Sequence, residues 1–155
     1  MRRHTLTKVL PYRPEQLFDM VGDVDRYPDF VPWLTSMRTW NAQALELGVT
    51  SLDAEAGIGI SVLNERFSTR VIRDPNNHKI SVNLISGPLR VLKNEWLFRD
   101  HPNGTLVEFS VEFEFKSRLL DAFAGANINR AIDRLIACFE GRARMLYGQA
   151  QSQIA

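Results

Sequence analysis

Two hydrophobic periods follow one another near the C-terminal end of the chain. Val107, Phe109, Val111, Phe113 and Phe115 alternate with Glu108, Ser110, Glu112, Glu114 and Lys116. A period of two means a strand with one apolar and one solvated face. The spacing then changes. Leu119, Leu120 and Phe123 are followed by Ile128, Ile132, Leu135, Ile136, Phe139, Ala143 and Leu146. That is helical spacing, with Arg130, Asp133, Arg134, Glu140, Arg142 and Arg144 mostly on the other side. The pattern predicts a helix from about Asn127 to Tyr147, roughly 30 Å long. An amphipathic helix and a sheet with one aromatic face each need a covering layer, and each can supply the other's.

The preceding chain reads as more strands. His4 to Leu10 alternates and stops at Pro11 and Pro14. Pro14 suits a first helical turn, and Leu17, Phe18 and Val21 give a short helix ended by Gly22-Asp23. From Asp23 to Met37 two prolines forbid a long helix, so one or two short turns are expected, either folded over the body of the domain or docked on something else. Arg38 to Ala44, Val49 to Glu55, Ile60 to Ile72, Lys79 to Ile85 and Leu89 to Arg99 read as strands, with Gly57-Ile58-Gly59 as a bulge or bend. Asp74-Pro75-Asn76-Asn77, Ser86-Gly87-Pro88 and Asp100 to Gly104 are turn signals. The order is strand, short helices, about six strands, long helix. This is an α+β class, one domain over residues 1–155, with one curved antiparallel sheet wrapped around a C-terminal helix.

Composition narrows the chemistry. Fifteen arginines and four lysines against 18 acids leave a net charge of +1, so there is no global pull toward nucleic acid and DNA is not an expected partner. One cysteine, Cys138, excludes an internal disulfide and a cysteine zinc cluster. Its place between Ile136 and Phe139 suits a small buried residue better than a nucleophile. His4, His78 and His101 show no metal-ligand spacing and read as surface residues. Glu108, Glu112 and Glu114 fit a solvated face, whereas Asp53, Glu55, Glu65 or Glu95 could each point inward as a lone acid or base. No signal peptide and no apolar run of about 20 residues is present, so a cytoplasmic protein is expected. No cofactor and no metal is implied. The many large aromatic residues suit a packed core. Collectively they also suit an apolar cavity between a curved sheet and its helix.

The run Val21-Gly-Asp-Val-Asp-Arg-Tyr27-Pro28-Asp-Phe30-Val-Pro32-Trp33 resembles the signature of coenzyme Q-binding proteins, members of the START-like, polyketide cyclase-related superfamily. Thr7 to Asp19 fits the same pattern, as does Ser86-Gly87-Pro88-Leu89 through Trp96-Leu-Phe98. The chain departs from the pattern at Leu34, where many members carry cysteine, and at Leu89, where phenylalanine is common. The resemblance implies a helix-grip fold with a hydrophobic tunnel that binds ubiquinone or a related polyprenyl lipid, in support of respiration or quinone synthesis. It carries over no catalytic residue. By motif position and periodicity, Pro32 and Trp33 are expected at the tunnel mouth and Phe67 and Trp96 on its sheet wall. Phe109, Val111 and Phe113 would face the helix, where Phe123, Ile132 and Ile136 close the far side. A pocket of about 300–1,000 Å³ encloses only the headgroup and first isoprene units of a long quinone. The segment Phe30-Val31-Pro32-Trp33 is then a candidate contact with the inner face of a membrane, or a lid that only packs on the tunnel. Two alternatives stand beside this reading. One is a polyketide cyclase or dehydratase-like enzyme. The other is a ribosome-association toxin, a branch of the same family, for which Arg130, Arg134, Arg142 and Arg144 would meet ribosomal RNA.

Overall fold

The computed structural model describes residues 1–60 and 63–148. They form β1 (Arg2–Leu10), α1 (Pro14–Gly22), a short 3-10 helix (Val24–Asp29), β2 (Leu34–Ala44), a 3-10 turn (Glu46–Gly48), β3 (Thr50–Ile60), β4 (Leu63–Asp74), β5 (Lys79–Ser86), β6 (Leu89–His101), β7 (Gly104–Phe115) and α2 (Arg118–Tyr147). The strands make one antiparallel sheet in the order β1-β7-β6-β5-β4-β3-β2. Apart from the crossover that places β1 beside β7, every strand pairs with its neighbour in sequence. The sheet curves around α2, so the expected α+β helix-grip architecture is the one observed.

The alternation in β7 puts Val107, Phe109, Val111 and Phe113 on the concave face, each buried. Its glutamates pair outward: Glu108 with Arg99 at 3.2 Å, Glu112 with Arg3 at 3.6 Å and Glu114 with Arg90 at 3.8 Å. Across the sheet, Asn94 Nδ2 donates to the Ser110 carbonyl and its Oδ1 accepts from Trp96 Nε1 at 3.0 Å. The polar residue that interrupts the apolar register of β6 therefore satisfies the indole buried beside it.

Several expected boundaries move. Helix α2 begins at Arg118, nine residues before Asn127, with the Ser117 hydroxyl accepting from Leu120 N as N-cap. Gly125 does not interrupt it, because that position is where the Arg2 guanidinium packs: a Cβ there would lie 2.3 Å from Arg2 Cζ. The 30 residues make a helix about 45 Å long. Strand β2 begins at Leu34, four residues before Arg38. Strand β3 runs unbroken through Gly57-Ile58-Gly59, in regular register with β4. The irregularity lies in its partner, where β2 shifts register between Leu34 and Ser36. A Cβ on Gly57 would lie 2.5 Å from Ser36 Oγ, so the glycine admits the neighbour's bulge and makes none itself. Ile60 ends β3, and the next strand starts at Leu63; residues 61 and 62 of the expected Ile60–Ile72 strand lie outside the described residues.

The β6–β7 hairpin seals one end of the body. Gly104 has φ +133° and lies against the chain leaving β1, where an added Cβ would sit 2.2 Å from the Leu10 carbonyl oxygen. Next to it, the fully buried Thr105 donates from Oγ1 to the Tyr12 carbonyl at 2.6 Å. Gly104→Ala combines a disfavoured backbone conformation with backbone overlap and should cost at least about 2 kcal/mol. Urea denaturation measures this, and a variant within about 0.5 kcal/mol of the parent would refute the packing argument.

Candidate functional site

The two halves of α2 meet the sheet differently. In the C-terminal half, Ile136, Phe139 and Ala143 are buried. Phe139 lies edge-on to Tyr27 and Phe30, with ring centres 5.2 and 5.1 Å away, and 4.9 Å from Trp96. Leu17, Met20 and Val21 of α1 complete this packed region with Leu10, Phe98 and Phe109. Among the described residues, the N-terminal half of α2 has no such filling. It roofs a cavity of about 410 Å³, partly open to solvent. Leu120, Phe123, Ala124, Ile128, Ala131 and Ile132 face it from the helix. Val111, Phe113 and Phe115 of β7, Leu89 and Leu92 of β6, Ile58 of β3 and Phe67 of β4 form its sheet side, with Trp33 and Pro88 at the edge.

The register explains the wall. Leu92 opposes Phe113 and Leu89 opposes Phe115, although the two lie three residues apart. A bulge between Leu89 and Val91 resets the alternation and turns both leucines to the concave face. Leu89 is thus a wall residue only 6% exposed.

Six residues expected at the tunnel line this cavity: Trp33, Phe67, Val111, Phe113, Phe123 and Ile132. Four do not. Trp96, Phe109 and Ile136 sit in the packed region around Phe139, because the α1 side chains fill the space in front of them. Pro32 is exposed and outside the cavity. In the segment expected to touch a membrane, Val31 is fully buried and the Phe30 ring is covered by Phe139 and by the Arg142 guanidinium at 5.2 Å. Tyr27 of the motif donates to the Val21 carbonyl of α1 while its ring packs on Phe139 of α2, so it ties the 3-10 helix to both, and burial raises its phenol pKa.

Sequence reasoning left the inward carboxylate open, and the register settles it. Asp53, Glu55 and Glu95 point to the convex face, where they meet Arg70 at 2.9 Å, Arg38 at 3.7 Å and Lys79 at 3.0 Å. Glu65 opposes Ile58, shares a face with Phe67 and lines the cavity. Its parity with Phe67, Thr69 and Val71 was readable in the sequence. Arg130 and Arg134 line the helix side of the opening. Cys138 is half-buried rather than buried, and partial burial pushes its thiol pKa up, away from a reactive thiolate. Among the described residues, no three His, Cys, Asp or Glu side chains converge to hold a metal, and no helix is long and apolar enough to cross a membrane.

The comparisons with known proteins agree with this geometry. The family model described as polyketide cyclase/dehydrase and lipid transport matches residues 10–140. A protein of Rickettsia prowazekii named ribosome association toxin RatA is 36% identical over 89% of this chain and 93% of its own. The mitochondrial coenzyme Q-binding protein COQ10 homolog B of Xenopus laevis is 29% identical over 96% of this chain and 61% of its own. The solution structure of an 18 kDa protein from Caulobacter crescentus superposes with a TM-score of 0.82, at 54% identity, over 96% of this chain and 100% of its own.

The cavity roof is held at its outer end by Asp121. Its carboxylate accepts from Phe115 N at 3.0 Å and from Arg2 Nε at 3.1 Å, tying α2 to the ends of β7 and β1. The Phe115 N–H, with help from Arg2, holds the Asp121 pKa below the ordinary carboxylate range against the effect of burial. A depressed folded-state pKa contributes stability that is present above the unfolded value of about 3.9 and is lost as pH falls through the folded value. Asp121→Asn should therefore flatten the fall in Tm below about pH 4 relative to the parent. Parallel Tm–pH curves for the two proteins would show that Asp121 does not carry this anchor.

Proposed function

The chain belongs to the polyketide cyclase/dehydrase and lipid transport family, and from its cavity we propose that it binds a single-chain lipid between sheet and helix, as a carrier or chaperone rather than as an enzyme. The observation that carries this reading is the 410 Å³ apolar space left under the first half of α2. A typical small-molecule pocket is about 300–1,000 Å³, apolar, with a few polar groups at defined places. The residues facing the space are aromatic or aliphatic apart from Glu65, Asn127, Arg130 and Arg134. Acid–base work would need polar groups converging on a substrate, and the side chains at the centre of this cavity offer none.

Ubiquinone is the first ligand to test, because of the motif and the coenzyme Q-binding relative. The volume suits a quinone ring with its first isoprene units, leaving a longer tail outside. Trp33, Phe67, Val111, Phe113, Phe123 and Ile132 are the proposed contacts. Mass spectrometry of an organic extract from the purified protein identifies what it carries. In titrations with a short-chain ubiquinone, Ile132→Trp should fill the cavity and weaken binding at least about tenfold, equivalent to 1.4 kcal/mol, with Trp33→Ala weakening it less. Unchanged binding in both folded variants would remove the cavity as the site.

A second reading has its own support. Relatives named ribosome association toxin RatA match nearly the whole chain, and Arg130, Arg134 and Arg144 are exposed on one helix. Contact with ribosomal RNA through this face would give co-sedimentation with ribosomal subunits that falls steeply with salt. Absence of co-sedimentation at low salt would count against it.

A further inference from the structure

The charged rim of the cavity says more about the ligand than its apolar wall does. Arg130 and Arg134 lie four residues apart on α2, on one face, and both border the opening. Glu65 borders it from β4. No ion pair joins any of the three to another side chain among the described residues. The convex face differs: there Asp53, Glu55, Glu95, Glu108, Glu112 and Glu114 each have a cationic partner within 4 Å. The rim thus holds two guanidinium groups against one carboxylate, next to a low-dielectric wall that strengthens their field.

We propose that the cavity is built for an amphiphile with an anionic headgroup, a carboxylate or phosphate monoester, seated on Arg130 and Arg134 with its chain against Phe67, Phe113 and Ile132. This rests on the lipid-pocket reading and names the class of ligand within it. A neutral quinone ring can accept hydrogen bonds from the same donors. A carboxylate or phosphate accepts charge-assisted ones, which are roughly twice as strong, and guanidinium matches the planar oxygen pair. Glu65 opposes an anion and so limits its affinity.

Calorimetric titration below the micelle threshold tests this with myristate, myristyl phosphate and myristyl alcohol, which share one chain. The parent should bind the acid at least about tenfold more tightly than the alcohol. In Arg130→Gln/Arg134→Gln, whose exposed positions tolerate glutamine in a helix, that ratio should fall to about one while the alcohol's affinity is kept. Glu65→Gln should raise the affinity for the two anions and leave the alcohol unchanged. The stronger of the two anionic ligands identifies the headgroup. An acid-to-alcohol ratio equal in parent and double variant overturns the proposal while leaving the pocket reading intact. The same holds if the double substitution abolishes only ribosome co-sedimentation. If none of the three ligands nor a short-chain ubiquinone binds, the pocket reading itself fails.

Discussion

The structure depends on how Phe139 is held. One ring in the second half of α2 touches Tyr27, Phe30 and Trp96 with centres 4.9 to 5.2 Å apart. It joins the long helix to the sheet and to the segment that follows α1. Such aromatic contacts add about 0.5–1.5 kcal/mol each beyond the area they bury. At the other end Asp121 ties the helix start to Phe115 and Arg2. A helix about 45 Å long, fixed at both ends, can span a gap without collapsing into it. The cavity lies between these two anchors, where α1 no longer reaches.

How much of this the sequence showed follows from which signals are local. The strands were legible because period-two alternation is a local property, and the glutamates of β7 went where parity put them. The helix start was not. Ala122, Ala124, Gly125 and Ala126 weaken the apolar stripe, and glycine inside a helix usually lowers its stability by about 1 kcal/mol. That position is explained only by Arg2, more than a hundred residues away, which packs on it. Gly57-Ile58-Gly59 misled for the same reason: its glycines answer to Ser36 and Thr35 on the neighbouring strand.

The division of the aromatic residues between cavity and core was likewise out of reach. Trp96, Phe109 and Phe113 share one face of the sheet and look alike in sequence. Their roles differ because α1 fills the space before Trp96 and Phe109, and among the described residues nothing fills it before Phe113. That is a property of packing between elements, and no periodicity reports it. Glu65 is the opposite case. Its strand parity marks it as inward, but an inward acid in a half-exposed strand stands out only once the cavity beside it is known.

The family signature can now be read physically. Tyr27 and Phe30 clamp α2 from outside, Val31 is buried, Pro32 faces solvent, and Trp33 alone among the motif's aromatic residues reaches the cavity wall. The motif therefore specifies the clamp that lets a cavity exist, and says little about what fills it. The contents depend on residues off the motif core: Leu89 on the wall, and Glu65, Arg130 and Arg134 at the rim. Proteins that share the clamp can differ in ligand, or use the same helix toward a different partner. Relatives bearing coenzyme Q-binding and ribosome-association names both match this chain, so the rim rather than the signature is the place to look for what separates them.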